Sequence, residues 1–211
     1  MFKMKAKKIY LEGGGKHEER TFEDLEKEVL SSTRNKIIFE LDFARYGDKI
    51  LTRKKRDRNY FIGLGAEEIN FASDCNSFDE IKERISQSDI LYIAGGDTEL
   101  LLKKIKEDGL DKLIRNFKGI LIGNGAGAYA CCKEYIKIRE DVVQVIPSLG
   151  LVNFCCKAHY EDKFDETLKK YSKDRDIYAI SEDSVIIIED DNLKFIGKAY
   201  LFSNGKKIRK K

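Results

Sequence analysis

Short apolar runs alternate along the chain with longer stretches in which hydrophobic residues recur every three or four positions, and most runs end in glycine or a polar turn residue. This alternation predicts an α/β fold, a single domain with a mostly parallel sheet and helices on both faces. Strands are expected at 8–11, 36–42, 68–72, 90–94 and 120–122. Phe22, Leu25, Val29 and Leu30 share one face of a first helix, and a second is expected over 48–62, where apolar residues surround a charged block before Gly63 and Gly65. Ile81 and Ile85 mark a third helix, and Leu100, Leu101, Leu102 and Ile105 a fourth. Further strands are expected near 142–146, 178–180, 185–188 and 195–202, with a helix near 164–171. No repeat or low-complexity linker interrupts the pattern, and Pro147 is the one proline. One domain is therefore expected over 1–205, followed by a frayed basic tail at 206–211.

Three of the predicted strands run into glycine: Gly13-Gly14-Gly15, Gly95-Gly96, and Gly123-Asn124-Gly125-Ala126-Gly127-Ala128. In an open parallel sheet, ligands gather at the carboxyl ends of strands, where backbone amides face the crevice. The first cluster is equally well explained as turn chemistry. The other two join a hydrophobic strand directly to a helix. Gly123-x-Gly125-x-x-Ala128 satisfies a dinucleotide-binding pattern, with Glu140 or Asp141 following for a ribose contact, although that fingerprint normally sits on the first strand-to-helix turn. The same segment differs by one residue, glycine for serine at 125, from a G-x-S-x-G nucleophile elbow.

Charge and composition narrow the chemistry. The 211 residues carry 40 Lys plus Arg against 37 Asp plus Glu, a net charge of +3, which argues against nucleic-acid binding by bulk charge. No apolar run approaches the ~18–20 residues of a membrane span, and the start MFKMKAKK leads into a strand, so a cytoplasmic protein without membrane partners is expected. Cys75, Cys131, Cys132, Cys155 and Cys156 are odd in number and lack CxxC spacing, which suits reduced thiols better than disulfides or zinc. Cys131 and Cys132 are placed about two turns into the helix after the elbow, as small buried thiols. His17 and His159 are the whole imidazole supply; His17 lies in a charged segment with the look of a solvated loop. The cluster Arg53-Lys54-Lys55-Arg56-Asp57-Arg58 has the pattern of a solvated helix face.

Several segments in order resemble the peptidase E and cyanophycinase group of serine peptidases, whose fold is like that of class I glutamine amidotransferases and flavodoxin. Tyr92-Ile93-Ala94-Gly95-Gly96-Asp97-Thr98-Glu99-Leu100-Leu101 resembles the family's G-G-N-T-x-x-L-L segment, with Asp97 where asparagine is usual. Residues 122–128 resemble its I-G-x-S-A-G-A elbow, with Gly125 in place of serine. Ser148-Leu149-Gly150-Leu151 followed by Ala158-His159-Tyr160 is similar to the segment that carries the catalytic histidine, Ile180-Ser181-Glu182-Asp183-Ser184-Val185 to the acidic segment, and 196–201 to the closing strand.

The resemblance implies a serine exopeptidase or dipeptidase acting on short or aspartate-containing peptides, without cofactor or metal, as a monomer or homodimer. It implies His159 as general base, Glu182 as its carboxylate with Glu140 or Asp141 as alternatives, an oxyanion hole from the N–H groups of Gly96 and Ala126, and a pocket including Gly95, Asp97, Thr98 and Asn124. An acidic substrate needs a cation, for which Lys16, Lys133, Arg139 and Lys157 are candidates. With Gly125 at the nucleophile position the chain is expected to be inactive or impaired, through an engineered serine-to-glycine change or as a natural pseudoenzyme. A non-catalytic binding protein for an acidic peptide or other anion is the alternative, and a nucleotide-binding Rossmann protein a weaker one. Glutamine amidotransfer is disfavoured because the elbow carries no cysteine.

Overall fold

A computed structural model describes residues 6–15, 19, 21–140, 142–190 and 192–210. Lys16, His17 and Asp141 lie outside the described residues. The first strand, β1 (Lys8–Glu12), is followed by α1 (Glu23–Ser31), β2 (Ile37–Leu41), α2 (Asp48–Gly63), β3 (Glu68–Phe71), α3 (Phe78–Gln87) and β4 (Ile90–Ile93). Next come α4 (Thr98–Glu107), α5 (Asp111–Asn116), β5 (Ile120–Asn124) and α6 (Ala126–Cys131). The remainder is β6 (Cys132–Arg139), β7 (Val142–Pro147), β8 (Val152–Lys157), α7 (Asp165–Tyr171), β9 (Ile177–Ile180), β10 (Val185–Glu189), β11 (Asn192–Ile196), β12 (Ala199–Ser203) and β13 (Lys206–Lys210).

The strands divide between two sheets. One has the order β11-β10-β1-β5-β4-β2-β3, and its five strands from β1 to β3 are mutually parallel. The other has the order β13-β12-β9-β8-β6-β7, with β6, β8 and β9 parallel at its centre. Side-chain alternation along the parallel strands separates two apolar layers, as the period of two requires. Tyr10, Ile38, Ile90, Tyr92 and Ile122 pack with Val29, Leu30 and Phe61 of α1 and α2. Ile9, Leu11, Phe39, Leu41, Leu91, Ile93 and Leu121 pack on the opposite face with residues of α3, α4, α5 and α6. That second layer continues into Tyr135, Cys156 and Ile180 of the smaller sheet, whose other face packs Ile136, Cys155, Ile177 and Phe202 around Leu168 of α7. The α/β architecture expected from the hydrophobic pattern is present.

Four local expectations are corrected. The run at 195–202 is two strands in different sheets, parted at Gly197, whose φ of +80° turns the chain where Ser184 and the Asp183 carbonyl leave no room for a Cβ. The helix after the elbow lasts six residues, so Cys131 closes it and Cys132 opens β6. The basic C-terminal segment is ordered: 206–210 pairs antiparallel with β12, and Lys207 reaches Asp162 and Asp165 while lying over the Tyr160 and Tyr200 rings. Finally, α2 turns Arg53, Lys54 and Asp57 inward, so its charged block is not a uniformly solvated face.

Candidate active site

The carboxyl ends of β1, β4 and β5 meet at a cleft of about 330 Å³ whose lining includes Gly95, Gly96, Asn124, Gly125, His159 and Glu182. Gly125 links β5 to α6 with φ +50° and ψ −98°, a conformation that an L-residue adopts only under strain. A Cβ placed there would lie 3.0 Å from His159 Nε2 and meet no other residue as closely. The Gly125 N–H donates to the Glu12 carbonyl at 3.1 Å, and the Tyr129 N–H to the Gly125 carbonyl at 3.0 Å, so hydrogen bonds fix the turn on both sides. Gly123 and Gly127 let α6 sit directly on the sheet: a Cβ on Gly127 would collide with the Ile93 carbonyl. The glycines of this segment therefore serve close packing and a sharp turn.

His159 follows β8 by two residues and has φ +49°. Its N–H donates to the Gly13 carbonyl at 2.6 Å, and its Nδ1 lies 2.9 Å from Glu182 Oε1. The first glycine cluster has a definite use here. A Cβ on Gly14 would collide with the His159 ring and one on Gly13 with the Ser181 carbonyl, so the imidazole and the β9–β10 loop close down on bare backbone. Glu182 is the carboxylate brought to His159, whereas Glu140 sits in the turn joining β6 to β7.

The N–H groups of Gly96 and Ala126 donate to no acceptor among the described residues. The peptide joining Gly95 to Gly96 is fixed from behind, because Arg53 Nη1 donates to the Gly95 carbonyl at 2.8 Å. Asp97 is the N-cap of α4, accepting from the N–H groups of Glu99 and Leu100. It and Thr98 do not line the cleft. Asn124 does, and its amide donates to fully buried Glu12 at 2.8 Å.

Sequence reasoning missed the cations of this cleft. Arg45, Arg53 and Arg56 line it, two of them from the block assigned to solvent. Arg53 Nε lies 3.2 Å from Glu40 Oε1 and 2.7 Å from Asp57 Oδ2, and Arg56 Nε lies 2.7 Å from Asp57 Oδ1. Burial works against the Arg53 charge, but Glu40 and Asp57 outweigh it and raise the guanidinium's pKa. Burial, with the Asp57 charge beside it, holds Glu40 well above the usual carboxylate range. The available signal was the spacing of Arg53, Asp57 and Phe61 at i, i+4 and i+8, which puts all three on one helix face. Lys133 and Arg139 are exposed on β6 and line no part of the cleft, and Lys157 is buried behind His159. Cys131 and Cys132 are fully buried, and burial pushes both thiols up, which keeps them protonated.

A second, more open groove of about 680 Å³ begins on the far side of His159 and Glu182, bordered by Tyr160, Glu161, Asp162, Asp183 and Lys198. The imidazole thus stands between an arginine-lined cleft and a carboxylate-rich groove.

The model of peptidase family S51 matches residues 9–196. The chain is 26% identical over 178 residues to an uncharacterized peptidase of Listeria innocua, covering 77% of this chain and 79% of that one. It is 31% identical over 142 residues to one of Listeria monocytogenes, covering 60% and 68%. Among solved structures, a peptidase from an acI-B1 actinobacterium superposes with a TM-score of 0.77 at 18% identity, covering 99% and 95%. A putative peptidase E protein from Listeria monocytogenes superposes with a TM-score of 0.66 at 22% identity, covering 90% and 98%. Both share the fold. With the elbow, the histidine and the acidic loop all inside the matched span, the chain belongs to peptidase family S51.

Proposed function

We propose that the cleft is a peptidase E-type peptide site, complete except for its nucleophile, in a chain that binds short or aspartate-containing peptides and does not turn them over at a normal rate. The observation that carries this reading is the 3.0 Å between His159 Nε2 and the Cβ position at Gly125, at a backbone turn of the elbow type. A hydroxyl added there lies within reach of the imidazole. In such a variant the oxygen attacks the peptide carbonyl, His159 takes its proton and returns it to the leaving amine, and Glu182 orients the ring. The N–H groups of Gly96 and Ala126 receive the developing oxyanion. Arg45, Arg53 and Arg56 supply the positive field that an acidic side chain requires.

The test is the Gly125→Ser variant assayed with aspartyl dipeptides. Hydrolysis is expected to appear, to fall by on the order of 10⁴-fold or more with His159→Ala added, and to survive His17→Ala. No hydrolysis, or equal loss with either histidine replaced, contradicts the catalytic reading. A second reading, a binding protein for an acidic peptide, draws on the same arginines together with the glycine itself. Dipeptide binding to the unmodified chain without any gain of turnover in Gly125→Ser favours it.

A further inference from the structure

Lys157 ends β8 two residues before His159 and is 6% exposed. Such burial is uncommon for lysine without a carboxylate partner, and none pairs with it among the described residues. Its Nζ instead donates to the Ala158 carbonyl at 2.5 Å and to the His159 carbonyl at 3.3 Å, lies 3.4 Å from the Tyr129 hydroxyl, and sits 4.6 Å from the centre of the Phe164 ring. The Tyr129 hydroxyl donates to the same Ala158 carbonyl at 2.9 Å. These contacts converge on the peptide units flanking a non-glycine residue at φ +49°. The other grips on His159, its N–H on Gly13 and its ring on Glu182, leave its carbonyl side to Lys157.

We propose that Lys157 is a positioning residue for His159, its ammonium clamping the carbonyls of Ala158 and His159 so that the left-handed turn presents the imidazole to Gly125. An ammonium makes stronger hydrogen bonds to carbonyls than a neutral amine, so the clamp weakens when Lys157 loses its proton. Burial, the dominant cause, lowers that pKa to about 8, with Cys156 and Glu161 opposing and Lys163 adding to the fall. These are the charged and titratable neighbours on β8 and on the segment after His159; from α6, the Tyr129 hydroxyl is held neutral by burial well above its ordinary value. The clamp is therefore closed below about pH 8 and loosened above it.

The positional claim is independent of the peptidase reading and is tested on the chain as it stands; its kinetic consequence rests on that reading. NMR on the His17→Gln protein, which leaves one histidine, follows the carbonyl carbons of Ala158 and His159 and the His159 ring through pH 6.5–10. An inflection near pH 8 is expected at all three, lost in Lys157→Met and lost in Lys157→Arg, whose guanidinium does not titrate. No inflection in the parent, or an unchanged one in either variant, overturns the proposal. In the Gly125→Ser background, kcat is expected to fall on the order of tenfold across the same range at constant KM, and to be low and flat with Lys157→Met added. An inactive Gly125→Ser protein that still shows the carbonyl inflection contradicts the peptidase reading and leaves the clamp standing. An active one whose alkaline fall persists in Lys157→Met overturns the clamp.

Discussion

At Gly125 the backbone takes φ +50° and ψ −98°, and a Cβ there meets the His159 ring at 3.0 Å. A serine at this position carries strain that glycine does not, so restoring a hydroxyl costs stability. Gly125→Ser is expected to lower unfolding free energy by about 1–3 kcal/mol, with Gly125→Ala losing a similar amount and gaining no activity. Paired denaturant melts check this; a Gly125→Ser variant as stable as the parent implies that the turn relaxes. Arg56 is a partly exposed cleft arginine, tied to Arg53 through Asp57. Arg56→Ala is expected to weaken aspartyl peptide binding to the unmodified chain about tenfold, an effect that shrinks with added salt. Unchanged affinity by calorimetry removes Arg56 from the acidic subsite.

On the scale of elements, β1 to β5 and helices α1 to α4 were legible from short apolar runs alternating with 3.6-residue spacing, whereas the six-residue α5 was not. His159, Glu182 and the elbow were legible through their segments. The rest depended on partners far along the chain. Nothing local to 206–210 marks a strand; its pairing with β12 and the seat of Lys207 between Asp162, Asp165 and two tyrosine rings make it one. Removing 206–211 is expected to cost about 2 kcal/mol, a fall of roughly 4–8 °C in Tm. A truncated chain with the parent's Tm shows that β13 adds nothing. The inward turn of α2 was hidden for the same reason, since Arg53 is placed by Glu40 of β2 and by the Gly95 carbonyl. Arg53→Met leaves Glu40 and Asp57 without their shared cation and is expected to destabilise the fold by about 3–5 kcal/mol, with Arg53→Met/Glu40→Gln recovering part of the loss. The double variant being no better than the single one contradicts a charge-based account.

Across the whole molecule, buried titratable groups set opposing pH trends. Lys157 has a pKa lowered from 10.5 to about 8, so the unfolded chain holds more protons than the folded one between those values, and this group's contribution to stability rises with pH there. Burial raises the pKa of Tyr60, Tyr92, Tyr129 and Tyr160 above 10, so the stability they contribute below pH 10 is lost as pH climbs further. Between pH 8 and 10 the parent is therefore expected to gain about 2 kcal/mol relative to Lys157→Met, in which the tyrosine effects cancel. A constant difference between the two proteins contradicts a buried ammonium. The central claim is that the fold still holds a working elbow and base and lacks one hydroxyl. A serine-directed fluorophosphonate tests it most directly, read by intact mass and peptide mapping. The parent is expected to stay unmodified, Gly125→Ser to take up one equivalent at position 125, and Gly125→Ser/His159→Ala to lose that reactivity. A Gly125→Ser protein that stays unlabelled, or that labels as readily without His159, contradicts the account.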